Sequence, residues 1–318
     1  MLDRNVRVFQ NARAWHYPFY NIAQSLSEAD FLTGNLESMI SDRGIKMDKK
    51  YCFRADISQI KLLSLAGFDC VTVGNNHAFD YGTTAFLDCI DRLEESFIIP
   101  VGGGSNITAA LNARYFNIKG NIIGVMGLND TRTNFIGHNK PSTAPSWGPS
   151  WVLSNCLRKV HRASERCDIM IVHIHWGMED TVYANDNQHL IGRSLIDFGA
   201  DIVIGHHPHR LQPVEFYTSD ETGHTGIIVY SLGNFVFDQN DYLNNLSAIL
   251  RIYVHEGEIV QIKMQPIEML SSPRATSPAK GKYYEDIFQL IENISAKYGT
   301  SVHIDDDSLF LLMPDLPN

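Results

Sequence analysis

Four times in this chain a short apolar run stops abruptly at residues that bind metals or move protons. The sharpest case is Gly205-His206-His207-Pro208-His209, where three histidines fall within four residues after the apolar stretch 201–204. The others are Gly34-Asn35-Leu36-Glu37, Gly74-Asn75-Asn76-His77 after Cys70-Val71-Thr72-Val73, and His173-Ile174-His175-Trp176-Gly177-Met178-Glu179. Apolar runs this short and this rich in β-branched residues read as buried strands. Amphipathic stretches separate them, and alternation of strands and helices predicts an α/β fold. In open α/β sheets ligands bind beyond the C-terminal ends of the strands, which is where these clusters sit.

Periodicity and capping signals predict helices over 18–30, 57–66, 83–95, 151–166, 188–198 and 283–298. Asp56 stands as an N-cap and Gly67 as a C-cap of the second. Strands are expected at 30–33, 68–73, 98–101, 168–173, 201–204 and 227–231. Hairpins are expected at 115–118 with 121–126, and at 248–254 with 259–264. Residues 129–150 are rich in Asn, Ser, Thr, Gly and Pro and predict a long surface loop. A short tail closes the chain.

The 318 residues, 44% hydrophobic and 19% charged, describe a globular protein with a large core. The formal net charge of -10 argues against nucleic-acid binding, which needs a basic face to displace counterions. No run of 18 apolar residues encodes a membrane span, and residues 1–30 contain no apolar signal core. The chain as written therefore reads as cytoplasmic. Its five scattered cysteines form no CxxC, which disfavours a disulfide framework or a thiolate zinc site.

Each polar cluster has a bland reading as a turn and a chemical one. Glu37 offers a hard oxygen donor. Asn76 offers an amide oxygen, and His77 an imidazole whose second nitrogen Asp80 can support. Strand alternation puts His173 and His175 on one face, with His173 one step deeper as a supporting residue. His207 and His209, two apart, can address one site. Such mixed nitrogen and oxygen donors suit manganese, zinc or iron better than magnesium alone. The remaining histidines (His16, His138, His161, His189, His224, His255 and His303) read as surface residues.

In this order the clusters resemble the CapA family of capsule and poly-γ-glutamate biosynthesis proteins. The matching stretches are Gly34-Asn35-Leu36-Glu37, residues 68–82 around Gly74-Asn75-Asn76-His77, His175-Trp176-Gly177 with Glu179, residues 199–209, and Tyr230-Ser231-Leu232-Gly233-Asn234. The resemblance implies a calcineurin-like metallophosphoesterase domain over 1–270, a four-layer αββα sandwich, with a C-terminal helix and tail over 271–318 packed on it. It makes Asn76, His175, His207 and His209 metal ligands, Glu37 a bridging carboxylate, and His77 catalytic with Asp80. Asn35, His173, His206, Glu179 and Asn234 are expected around them as supports. The implied partner is the capsule or poly-γ-glutamate synthesis machinery, served either by metal-dependent hydrolysis or by a non-catalytic partner that binds an anionic polymer or membrane complex. Family members open with a strand ending in Gly-Asp whose aspartate binds metal. This sequence contains no Gly-Asp pair, and Met1-Leu2 looks like the dipeptide that follows it. Either the start is placed late or the chain is shortened. One tight divalent site is expected here, against two in a full-length form.

Overall fold

A computed structural model describes residues 2, 3, 6, 17–131, 142–143, 150–269, 275–305 and 309–314. The fold is mixed α/β with several sheets. A three-stranded parallel sheet contains β1 (Thr33–Asn35), β2 (Cys70–Thr72) and β3 (Ile99–Val101), in that order. A six-stranded sheet contains β4 (Arg114–Ile118), β5 (Asn121–Asn129), β6 (Ile169–His175), β7 (Ile202–His206), β8 (Val214–Thr218) and β9 (Thr225–Val229). Its spatial order is β8-β9-β7-β6-β5-β4, with β5, β6, β7 and β9 parallel. A five-stranded antiparallel sheet contains β10 (Leu246–His255), β11 (Glu258–Met269), β12 (Thr276–Pro278), β13 (Thr300–Ile304) and β14 (Phe310–Pro314). The longer helices are α1 (Gln59–Ala66), α2 (Gly82–Glu95), α3 (Ser150–Ser164), α4 (Asp186–Asp197) and α5 (Lys282–Ser295).

Strand alternation distributes apolar side chains among three cores. Ile169 and Ile171 of β6 join Cys70, Val101, Ile202, Ile204, Met264 and Ile287 in one core between the sheets. Met170, Val172 and Ile174 face the other way, onto Cys156 and Val160 of α3 and Leu195 of α4. Val71 and Val73 face Leu62 of α1 and Phe86 and Leu93 of α2. By the same alternation His173 and His175 point between the sheets, with Ile169 and Ile171.

The five-stranded sheet repeats this division. Ala248 faces the first core and Ile249 packs on the second. Strand β1 ends the three-stranded sheet and β10 ends the five-stranded one, so each has a sheet neighbour on one side only. Residues 28–37 and 247–257 line the same cavity of about 940 Å³, which reaches Glu37, His207 and His209.

Several expected elements shift. The helix expected over 18–30 is a 3-10 turn at Tyr17–Phe19 and a short helix at Ala23–Ser27. The first strand begins at Thr33, just after Leu32, whose N donates to Asp69 Oδ2 at 2.7 Å. The Asp56 side chain accepts from Ser58 N at 2.9 Å, and α1 starts at Gln59. Gly67 closes it at φ 84°, as its C-cap role requires. The expected tail is instead the β13–β14 pair, in which Phe310 lies opposite Met264 of β11. No amphipathic pattern marked those strands, because burial falls on alternate residues of very short runs. The expected loop at 129–150 falls mostly outside the described residues, as do His16 and His138; within it Ser142–Thr143 pairs with Gly103–Gly104.

Gly205 lies where the site meets the core. A Cβ there would stand 1.9 Å from Tyr230 O and 2.4 Å from Trp176 Nε1, which donates to that same carbonyl at 2.9 Å. Gly205→Ala is therefore expected to cost about 1–3 kcal/mol, the usual cost of overpacking. Chemical denaturation of the variant against the parent chain measures it.

Candidate metal centre

Parallel register delivers the polar clusters to one edge. Asn35 lies opposite Thr72, so the residues just beyond β1 and β2 are neighbours: Glu37 on one, Asn76 and His77 on the other. His175 lies opposite His206, so His207 follows one residue later on the next strand. Glu37, His175 and His207 each present a donor atom, and the three atoms lie within 4.8 Å of one another. His175 Nε2 is 2.9 Å from Asn76 Oδ1 and 3.6 Å from Glu37 Oε1. The His175 and His207 rings stand 4.8 Å apart.

Buried polar atoms are costly unless paired. Glu37 Oε1, His175 Nδ1 and His207 Nδ1 are buried with no hydrogen-bond partner among the described residues. One carboxylate and two imidazoles that converge, each also carrying a buried atom without a partner, fit a divalent cation. Burial, then the neighbouring His207, His206, His77 and His209, holds the His175 pKa far below its ordinary value. Burial also lowers that of His207, opposed by Glu37. Both rings are therefore neutral near pH 7, the form that binds metal.

His209 stands beside this trio. Its ring is 6.2 Å from that of His207, and its Nδ1 is 2.8 Å from Asn234 Oδ1, leaving Nε2 as the open nitrogen. Asn35 donates to Glu37 Oε2 at 3.2 Å. Glu179 is exposed and acts on His207 only through its charge. His173 and His206 form their own pair. His173 Nδ1 is 3.0 Å from His206 Nε2, its Nε2 is 3.0 Å from Thr33 Oγ1, and the two rings stack at 5.3 Å. His173 thus reaches the trio through the backbone next to His207, without touching His175.

His77 and Asp80 meet at 2.6 Å, Nδ1 to Oδ2, which leaves His77 Nε2 for a substrate. Asp80 also accepts from Lys49 Nζ at 2.5 Å and from Phe53 N at 2.7 Å. Lys49 Nζ donates to Asn76 O at 2.7 Å, and the Phe53 ring lies 4.1 Å from His77. Sequence reasoning missed Lys49, Phe53 and Thr33. Lys49 stands in a polar stretch, Asp48-Lys49-Lys50, where nothing separates it from its neighbour. Asn75, passed over inside its cluster, donates to Leu36 O at 2.9 Å and accepts from His77 N at 3.0 Å. Asp3, a carboxylate near the chain start, accepts from Arg54 N at 3.0 Å. His189, expected at the surface, is half-buried, with Nδ1 2.9 Å from the Tyr230 hydroxyl.

The sequence pattern of the family described as "Bacterial capsule synthesis protein PGA_cap" matches residues 1–239. The chain belongs to this family. The matched span of the capsule synthesis family contains every residue of the centre, while β10–β14 and α5 lie beyond it. The resemblance to CapA proteins is borne out by two relatives. The "Capsule biosynthesis protein CapA" of Bacillus anthracis is 29% identical over 288 residues, 89% of this chain and 69% of that protein. The "PGA biosynthesis protein CapA" of Bacillus subtilis is 27% identical, over 85% of this chain and 69% of that protein. A "Probable polyglutamine synthesis accessory protein" of Mycobacterium tuberculosis is 23% identical, over 94% of this chain and 82% of that protein.

The buried imidazoles set a pH dependence. Burial lowers the His173 pKa to about 4, and lowers those of His175, His206 and His207 as well. A histidine whose folded pKa lies below its unfolded value of about 6.5 takes up protons preferentially when unfolded. Its neutral burial is cost-free above about pH 6.5, and stability falls as pH drops from there toward 4. Metal-free protein is expected to lose thermal stability steeply across that interval. His173→Asn should flatten the loss in a pH series of melting curves.

Proposed function

We propose that this chain acts in capsule or poly-γ-glutamate biosynthesis as a metal-dependent hydrolase of a phosphoester or related bond. The observation that carries this reading is the set of three unpartnered buried donors on Glu37, His175 and His207 beside the Lys49–Asp80–His77 chain. The framework is read as a metallophosphoesterase-like αββα sandwich. Its support is the alternation of Cys70 and Val71, and of Ile171 and Val172, between a shared inner core and separate helix-covered outer cores. The family membership and the names of the relatives support the biological setting.

Glu37, His175 and His207 would hold the ion, with Asn76 Oδ1 and His209 next to them. A divalent manganese, zinc or iron ion supplies Lewis acidity and lowers the pKa of water. The protein supplies the rest. Asp80 accepts a hydrogen bond from His77 Nδ1 and orients the ring, and its carboxylate supports the imidazolium form in which Nε2 also carries a proton. Lys49 pins the Asp80 carboxylate and the Asn76 carbonyl, so His77 Nε2 and the Asn76 amide keep one relative position. His77 Nε2 then gives a proton to the leaving oxygen, a contribution of about 10²–10⁴-fold. His173 orients His206, whose backbone carries His207; such supports are worth about 10–100-fold in metal affinity.

The described residues supply one convergent trio, so one tightly held ion per chain is expected from metal analysis after dialysis. His207→Ala should abolish it, and His173→Ala should weaken it about 10–100-fold. His77→Ala should retain the ion yet slow hydrolysis of a generic phosphoester about 10²–10⁴-fold. Two ions per parent chain, or hydrolysis unaffected by His77→Ala, would sink this assignment.

A further inference from the structure

A second feature lies on the other face of the six-stranded sheet. A groove of about 690 Å³ runs between α3 and the start of β4. Arg114, Lys159, Arg162 and Arg166 line it together with Tyr115, and no carboxylate lines it. Tyr115 packs against the core beneath α3 and α4, whereas the site histidines His173 and His175 face the opposite way. In a chain of net charge -10, four cations without an acid among the lining residues form a local reversal of sign.

These cations are available. Among the described residues no carboxylate pairs with Lys159, Arg162 or Arg166. The neighbouring Glu165 faces His161 at 4.0 Å. Arg166 rests over the Tyr115 ring at 4.8 Å, which fixes its guanidinium at the groove wall. Arg114 meets Glu94 at 3.0 Å, both about half exposed, an ion pair of the kind that exchanges partners at little cost.

The chemistry of the row points to the ligand. Lys159 and Arg162 lie about one turn apart on α3, and Arg166 follows just beyond the helix end at Ser164, so the three cations line one side of the groove. A chain that carries a carboxylate on every unit can meet this row and Arg114 together. Guanidinium groups match carboxylates with two parallel hydrogen bonds.

We propose that this groove binds a polycarboxylate chain, an assignment that rests on the reading of the protein as a capsule-biosynthesis component. The site is separate from the metal centre, so binding persists when a chelator removes the ion.

Fluorescence anisotropy with a labelled poly-γ-glutamate oligomer tests this, in chelator and at about 50 and about 200 mM salt. The parent chain is expected to bind, more weakly at the higher salt. Arg162→Glu should weaken binding at least about tenfold. Arg158→Glu makes the same charge change next to the groove but outside its lining, and should change binding less than about threefold. Unchanged thermal unfolding of both variants shows that the fold is intact. Equal losses from the two variants, or none from either, would overturn the groove. A single-stranded RNA that competes as well as the oligomer would overturn the polycarboxylate assignment. Oligomer binding without phosphoester hydrolysis sinks the hydrolase reading alone, and hydrolysis without oligomer binding sinks the groove alone.

Discussion

Two hydrogen bonds across the gap between sheets govern the arrangement of the centre. Asn76 Oδ1 meets His175 Nε2, and Thr33 Oγ1 meets His173 Nε2. Each joins a residue on or just beyond the three-stranded sheet to an imidazole on the six-stranded one. Burying an imidazole is tolerable when it stays neutral and finds a partner. Both bonds exist only because β6 alternates its side chains, so that His173 and His175 share the face of Ile169 and Ile171. A one-residue slip of β6 would turn both rings into the core beneath α3 and leave His207 as the trio's one nitrogen donor.

The segment after β7 carries a different kind of constraint. His207 has φ 101° and His209 φ 62°, values that non-glycine residues adopt at a cost. Such backbone persists where its surroundings determine it. Here Trp176 N donates to His206 O, Asp180 N donates to Pro208 O, and Asn234 holds the His209 ring. The turn lies beyond the end of β7, so this backbone, and not strand alternation, sets the direction of the His207 and His209 rings.

The strand ends and their clusters were legible because each combines a short β-branched run with a sudden change to polar residues. Gly34 to Glu37, Asn76-His77, His175 and His207 each carried that signal, and register brings the strand ends together within each sheet. The supports were not legible. Lys49 reaches Asp80 from 31 positions away in a polar loop, and Thr33 reaches His173 across 140 residues, contacts that no local pattern encodes. The helix expected over 18–30 failed for the opposite reason. Its apolar spacing was genuine, but the chain uses Phe19, Ile22 and Leu26 to plug the second core in two short turns. The β13–β14 pair escaped notice because five-residue strands offer too few alternations to separate from a tail.

Charge is distributed in a way that composition hides. Within the centre, Lys49 balances Asp80, and the neighbouring imidazoles of His173, His175, His206 and His207 are held neutral by burial. Glu37 is then the one uncompensated charge among the three convergent donors, with Glu179 outside in water. A dication seated on those donors would leave a local charge of about +1 within a chain of net charge -10. A buried positive spot is screened far less than surface carboxylates an ionic-strength length away, so it governs what approaches over the last few ångströms. The acidic surface and an anionic substrate are therefore compatible. By the same reasoning an exposed groove such as that of Arg162 has to rely on several cations at once, because water and salt weaken each of them singly.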